Sequence, residues 1–88
     1  MKQSREKSGI ASARVDWKAV GRRLRELRGF DVTQQDFAHR IGVSQNHLST
    51  MERGKVEIGA EILLRIGLEV GKSLEWLLTG EDRVKIND

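Results

Sequence analysis

Residues 33–55 read TQQDFAHRIGVSQNHLSTMERGK. Two short helical patterns meet here at one glycine, Gly42. In the first, Phe37, Ala38 and Ile41 recur at the spacing of one buried helix face. Thr33 is a capping residue, Asp36 stands three residues on in an approximate capping box, and Val32 and Phe37 flank the start as a hydrophobic staple. Gly42 breaks this helix. Ser44 caps the next, with Val43 and Leu48 as a second staple, and Leu48 and Met51 point inward before Gly54 ends it. The second pattern opens on Ser44, Gln45, Asn46 and His47, polar groups that a core would exclude.

On a wheel of 100° per residue, Leu48 and Met51 mark the core side of this helix. Asn46, Ser49, Thr50 and Arg53 fall opposite, and Gln45 sits in the exposed first turn. Ordinary solvated helix faces use Glu and Lys, whereas this one has no acid at its centre. Gln and Asn amides pair with the N6 and N7 of adenine, a Thr methyl can touch the thymine methyl, and a helix fits the major groove of B-DNA.

Working outward, the helical pattern begins at Asp16, an N-cap, and carries Trp17, Val20, Leu24 and Leu27 as one stripe up to Gly29, expected in the left-handed conformation. After the central pair, a fourth helix runs from about Gly59 to Val70 with Ile62, Leu63, Ile66 and Val70 apolar, closed by Gly71. Ser73 caps a short fifth helix with Leu74, Leu77 and Leu78, closed by Gly80, with Trp76 at its edge. Gly21 and Gly67 fall inside helices, where each costs ~1 kcal/mol relative to alanine, so close helix approach is expected at both. The sum is all-α: a compact domain over residues 15–80, a flexible basic arm over 1–14 and a tail over 81–88.

The 88 residues suffice for one small domain. There is no cysteine, so disulfides and thiolate metal sites are excluded. His39 and His47 have no neighbour at metal-ligand spacing, and no metal or cofactor is expected. No apolar run reaches the ~18 residues of a membrane span, and no apolar stretch follows the basic N-terminus as a signal peptide requires. A cytoplasmic protein is expected. No nucleophile–base pair or phosphate-cradling glycine loop marks an enzyme. The charge is uneven. Residues 1–15 hold four Lys/Arg against one acid, residues 16–55 eight against five, and residues 56–88 four against seven. A basic face for a polyanion and an acidic face for something else follow from that split.

Gln34 to Arg53 resembles the helix-turn-helix of phage-repressor and Cro-type regulators, the xenobiotic-response-element-like family with its lambda-repressor-like fold. Ala38 matches the small residue where the two helices cross, Gly42 the turn glycine, Val43 and Ser44 the residues after it, and Leu48 and Met51 the apolar pair of the recognition helix. Thr33–Gln34 and Glu52–Lys55 match the flanks, and LLRIGLEVGKSLEWLLTGED resembles the closing helices, so the likeness covers residues 16–82. It implies a double-stranded DNA operator as partner, with Gln45, Asn46, Ser49 and Thr50 at base edges. It implies phosphate contacts by Gln34, Ser44, Arg53 and Lys55, with Gln34 also bracing the first recognition residue. Glu52 matches an acid that pairs with an arginine of the first helix, here Arg28 or Arg25. The link between the first two helices is one residue shorter than usual, Gly59 stands where Ser or Pro often starts the fourth helix, and Leu68 and Lys72 exchange the usual polarity.

The leading expectation is a sequence-specific transcriptional repressor acting as a homodimer, since one small domain binds a half-site weakly and two-fold pairing on a palindrome is the common solution. Leu68, Trp76 and Leu78 are the candidate dimer residues. The alternative is an antitoxin or adaptor that uses the same fold to bind a protein through its acidic C-terminal half. The basic arm is a further candidate for lying along DNA.

Overall fold

The computed structural model describes residues 8–82. Six helices follow one another: α1 (Ser8–Ala11), α2 (Trp17–Arg28), α3 (Gln34–Ile41), α4 (Gln45–Glu52), α5 (Ala60–Val70) and α6 (Leu74–Thr79). The described residues contain no strand. The five helices read from the sequence are α2 to α6, and the architecture is all-α as expected. The sixth, α1, is one turn inside the stretch read as an unstructured arm. Its Ile10 stays exposed, so no apolar period announces it. The rest of the arm, residues 1–7, and the tail residues 83–88 lie outside the described residues.

Short polar side chains set four of the helix starts. Asp16 Oδ1 accepts from the Ala19 N–H at 3.1 Å. Thr33 Oγ1 accepts from Asp36, Ser44 Oγ from His47 and Ser73 Oγ from Trp76, each at 3.0 Å. Each bond satisfies an N–H that the helix leaves unpaired, an interaction of ~1 kcal/mol. α5 starts at Gly59 with no side-chain cap. Gly29 departs from expectation. Its φ of 75° is positive, but with ψ at −173° it lies outside the left-handed helical region, in a conformation that is essentially glycine's alone. The shortened link to α3 begins there and leaves Phe30 fully exposed.

The apolar stripes converge on one core. Val20 and Leu24 of α2 meet Phe37, Ala38 and Ile41 of α3, Leu48 and Met51 of α4, Leu63 and Ile66 of α5, Leu77 of α6 and Ile58 from the loop before α5. α2 packs on α4 and α6, α3 on α4 and α5, and α5 on α6. Two arginines fasten helix ends. Arg23 Nη1 donates to the Leu77 carbonyl at 3.0 Å, and Arg65 Nη1 donates to the Ile41 carbonyl at 3.2 Å. Both place positive charge where a helix dipole presents its negative end.

Gly21 explains how α4 gets so close to α2. A Cβ at Gly21 would sit 2.7 Å from the Met51 carbonyl oxygen and against that of Glu52 as well. The helices touch backbone to backbone, as the glycine inside a helical pattern suggested. At Gly67 the tight neighbour is not another helix but the loop after α5, with the missing Cβ 2.7 Å from the Lys72 carbonyl oxygen.

Two glycine substitutions should therefore move stability in opposite directions. Gly21→Ala should destabilise by ~1–3 kcal/mol through overpacking, although alanine is the better helix former. Gly59→Ser has open space around it and an extended backbone, so a new cap should stabilise by roughly 0.5–1 kcal/mol. Urea unfolding at a common m-value measures both. A neutral Gly21→Ala would mean that α2 and α4 are further apart.

Candidate nucleic-acid interface

The turn between α3 and α4 is built from the residues the sequence singled out. Gly42 adopts the left-handed conformation, φ 76° and ψ 33°. The Val43 N–H donates to the Ala38 carbonyl at 2.9 Å and the Gly42 N–H to that of His39 at 3.2 Å, closing the C-terminus of α3. Ala38, Leu48 and Met51 are buried, and Val43 is half-buried against the same core. Ser44 then restarts the helix. The two helices are thereby fixed from behind, with the polar start of α4 outside.

On that outer edge Ser44, Gln45, Asn46 and His47 are all exposed, as are Arg53 and Lys55 beyond the helix. Ser49 and Thr50 are half-buried. The wheel placed them opposite the core, but a wheel contains no neighbouring helix. The Thr50 hydroxyl donates to the Asn46 carbonyl at 2.9 Å, so Thr50 offers chiefly its methyl. After α4 the chain folds back on the last turn. The Arg53, Gly54 and Lys55 N–H groups donate to the carbonyls of Ser49, Met51 and Thr50 at 3.1, 3.0 and 3.1 Å. Arg53 and Lys55 are held close to the end of the helix by these bonds.

Glu52 is the one buried charged side chain among the described residues, 7% exposed. Arg28 meets it with two bonds, Nε to Oε2 at 2.8 Å and Nη2 to Oε1 at 3.0 Å. Arg28 Nη1 also donates to the Val32 carbonyl at 2.9 Å. Of the two arginines the sequence left open, Arg28 makes the pair and Arg25 is exposed. The hydrogen bonds to Glu52 raise the Arg28 pKa above its ordinary value. Burial opposes that shift and the Glu52 charge adds to it. Gln34 Nε2 donates to Glu52 Oε1 at 3.0 Å. The Gln34 amide thus braces the C-terminal end of α4 through Glu52, a role that the sequence reading, which assigned it a phosphate and the first recognition residue, did not include.

The apolar surface lies on α5 and α6. Leu68 is 76% exposed, Leu64 one turn before it 52%, and Leu74 40%. Leu74 reaches the side of α5 at Gly67. Trp76 and Leu78 are half-buried, and Lys72 Nζ stands 4.6 Å over the Trp76 ring, a cation–π contact. Leu74 is therefore more open than Trp76 and Leu78. Leu64 was missed, although its spacing of four from Leu68 was visible. Among the described residues no group of three or more His, Asp or Glu is placed to hold a metal ion. No described helix is long and apolar enough to cross a membrane.

Two capped helices joined at a left-handed glycine, the second with its polar edge exposed, define a helix-turn-helix protein. The helix-turn-helix family HTH_3 matches residues 22–77, and the chain belongs to it. It is similar to the clp gene regulator ClgR from Corynebacterium glutamicum, with 32% identity, a TM-score of 0.65, and coverage of 74% of this chain and 70% of that one. It also resembles the restriction-modification controller protein C.AhdI from Aeromonas hydrophila, with 25% identity, a TM-score of 0.64, and coverage of 70% and 96%. In sequence it is 34% identical over 70 residues to the propionyl-CoA carboxylase regulator of Cereibacter sphaeroides, across 78% of this chain and 15% of that protein. It is 35% identical over 69 residues to the pesticidal crystal protein Cry22Aa of Bacillus thuringiensis, across 78% of this chain and 9% of that protein. The chain thus spans a small part of the curated relatives it matches.

The Glu52 site gives the sharpest stability test. Arg28→Ala strands a buried carboxylate and should cost ~3–5 kcal/mol, whereas Gln34→Ala removes one charge-assisted bond and should cost ~1.5–3 kcal/mol. Denaturant unfolding of both single variants and the double variant should show coupling, because they share one partner. Strict additivity would mean that the two contacts act separately.

Proposed function

We propose that this chain is the DNA-reading domain of a transcription regulator, a repressor that binds a palindromic operator as a homodimer, with α4 in the major groove. The observation that carries this reading is the exposed pair Gln45 and Asn46 at the start of a helix otherwise anchored on three sides. Amides so placed have both hydrogen-bonding ends available, and adenine presents the matching acceptor and donor in the major groove. Ser49 and the Thr50 methyl lie one turn further along and supply smaller contacts. Arg53, Lys55 and Ser44 bracket the helix with groups suited to phosphate, and Gln34 stands at the N-terminus of α3, where N–H groups favour an anion.

Pairing is assigned to the α5–α6 surface. Leu64, Leu68 and Leu74 form an exposed apolar strip, of the kind that marks an association site. A second copy on that strip would leave both α4 helices free, and a two-fold arrangement with half-sites about 34 Å apart fits one turn of B-DNA.

Gln45→Ala should cost ~1–3 kcal/mol on the preferred site and relax selection at one base pair. Selection of bound duplexes from a random pool supplies that site, and equal losses on preferred and random DNA would remove Gln45 from base reading. Lys55→Ala should weaken binding to all sequences alike. For pairing, Leu68→Glu should convert a dimer into a monomer in sedimentation and abolish cooperative binding to the full palindrome, with helical content unchanged. A wild type that sediments as a monomer at high concentration and binds DNA as one contradicts the homodimer.

A further inference from the structure

The loop that carries Arg53 and Lys55 does not stand alone against solvent. Gly54, between them, lies on the first turn of α2. A Cβ at Gly54 would sit 2.5 Å from the Lys18 Cα and 2.9 Å from both its Cγ and its backbone N. Gly54 also has φ at 71°, a conformation that side chains with a Cβ rarely adopt. Position 54 therefore excludes a side chain twice over, and the result is that the loop backbone rests on the backbone and stem of Lys18. Lys18 is thereby brought beside the loop that carries Arg53 and Lys55, 35 and 37 residues further along the chain, and all three side chains are exposed.

Other cations of the fold are taken up by ion pairs. Arg28 has Glu52, Arg40 has Glu69 and Arg65 has Glu61. Among the described residues no ion pair involves Lys18, Arg53 or Lys55. The nearby Asp16 carboxylate accepts from the Ala19 N–H as the cap of α2. A cation cluster without an internal counter-ion, beside the end of a helix whose outer edge is built for hydrogen bonding, is suited to an external polyanion.

We propose that Lys18 is a further phosphate-contacting residue, and that with Arg53 and Lys55 it forms one clamp on the DNA backbone, set by the packing of Gly54 on α2. The inference rests on the DNA-binding reading above. It adds a contact from a helix outside the helix-turn-helix itself, so the position of α2 helps to fix the register of α4 on the duplex. Phosphate contacts position a protein without reading sequence, and Lys18 accordingly contributes equally on every duplex.

The test is a salt titration of DNA binding by the full chain, using the duplex selected above and a random one. Lys18→Met keeps the stem that packs under Gly54 and removes the charge, while Lys18→Arg restores the charge. Lys18→Met should lower the slope of log affinity against log salt by about 0.9, the value for one phosphate on B-DNA. It should weaken both duplexes by the same factor and leave the melting temperature unchanged, and Lys18→Arg should keep the wild-type slope. Lys55→Ala, run in parallel, separates the two levels of the argument. If Lys55→Ala lowers the slope and Lys18→Met does not, the Lys18 contact is wrong and the DNA reading stands. If the wild type binds neither duplex, both are wrong. If Lys18→Met lowers the melting temperature and leaves the slope unchanged, the residue serves packing alone and the inference is overturned.

Discussion

Glu52 is a carboxylate with almost no access to water, and three helices are arranged around that fact. A charge taken out of water costs several kcal/mol unless partners replace its hydration. Here Arg28 from the end of α2 supplies two bonds and Gln34 from the start of α3 supplies a third. Arg28 in turn holds the Val32 carbonyl in the link between them. The end of α2, the start of α3 and the end of α4 are thus tied to one small group of atoms. Such a cluster is weak evidence for added stability, since an apolar replacement of equal shape can do as well. Its effect is on geometry, because both oxygens are engaged and the bidentate arginine admits one orientation.

That geometry matters because α4 cannot support itself. Eight residues are fewer than the ~12–15 that an isolated helix needs in water. Its cohesion comes from outside: Leu48 and Met51 in the core, the Ser44 cap in front, Glu52 behind and the backbone of α2 at Gly21 alongside. All of these restraints lie on its inner side and ends. The side facing away is left to Gln45, Asn46 and His47, whose side chains have no structural duty. A rigid frame with a chemically unoccupied edge has little entropy left to lose on meeting a complementary surface.

Much of this was legible in sequence because it is local. Asp16, Thr33, Ser44 and Ser73 act within three residues of themselves, and all four cap as their positions suggested. Gly21 and Gly67 were legible as exceptions to helix propensity, which pointed to close contact. What the sequence left open depends on how elements meet. Arg28 and Arg25 are one turn apart on α2, and which of them reaches Glu52 depends on how α2 meets α4; it is Arg28. Ser49 and Thr50 are outward on a wheel, yet half-buried in the fold. The bond from Gln34 to Glu52 joins two positions 18 residues apart, which no local pattern pairs. Leu64 lay beside the Leu63–Ile66 stripe and was passed over, while the fold buries one side of α5 and leaves Leu64 and Leu68 in solvent. The α1 turn had no apolar period to be seen by.

The distribution of charge completes the division between frame and edge. Arg40 and Arg65 answer Glu69 and Glu61 at 3.4 and 3.6 Å. Exposed pairs of this kind add little stability, but they cancel field on the α5 side of the molecule. Lys72 is spent against the Trp76 ring on the same side. At the end of α4 Arg53 and Lys55 make no ion pair among the described residues, and the adjacent acid, Glu52, is paired with Arg28 inside the fold. Burying that carboxylate has a second consequence beyond geometry: it removes from the surface the negative charge adjacent to Arg53, so that the nearest exposed acid after Lys55 is Glu57. The modest net charge of +3 is therefore a poor guide to the local potential, which is set by where the acids are hidden as much as by where the bases are displayed.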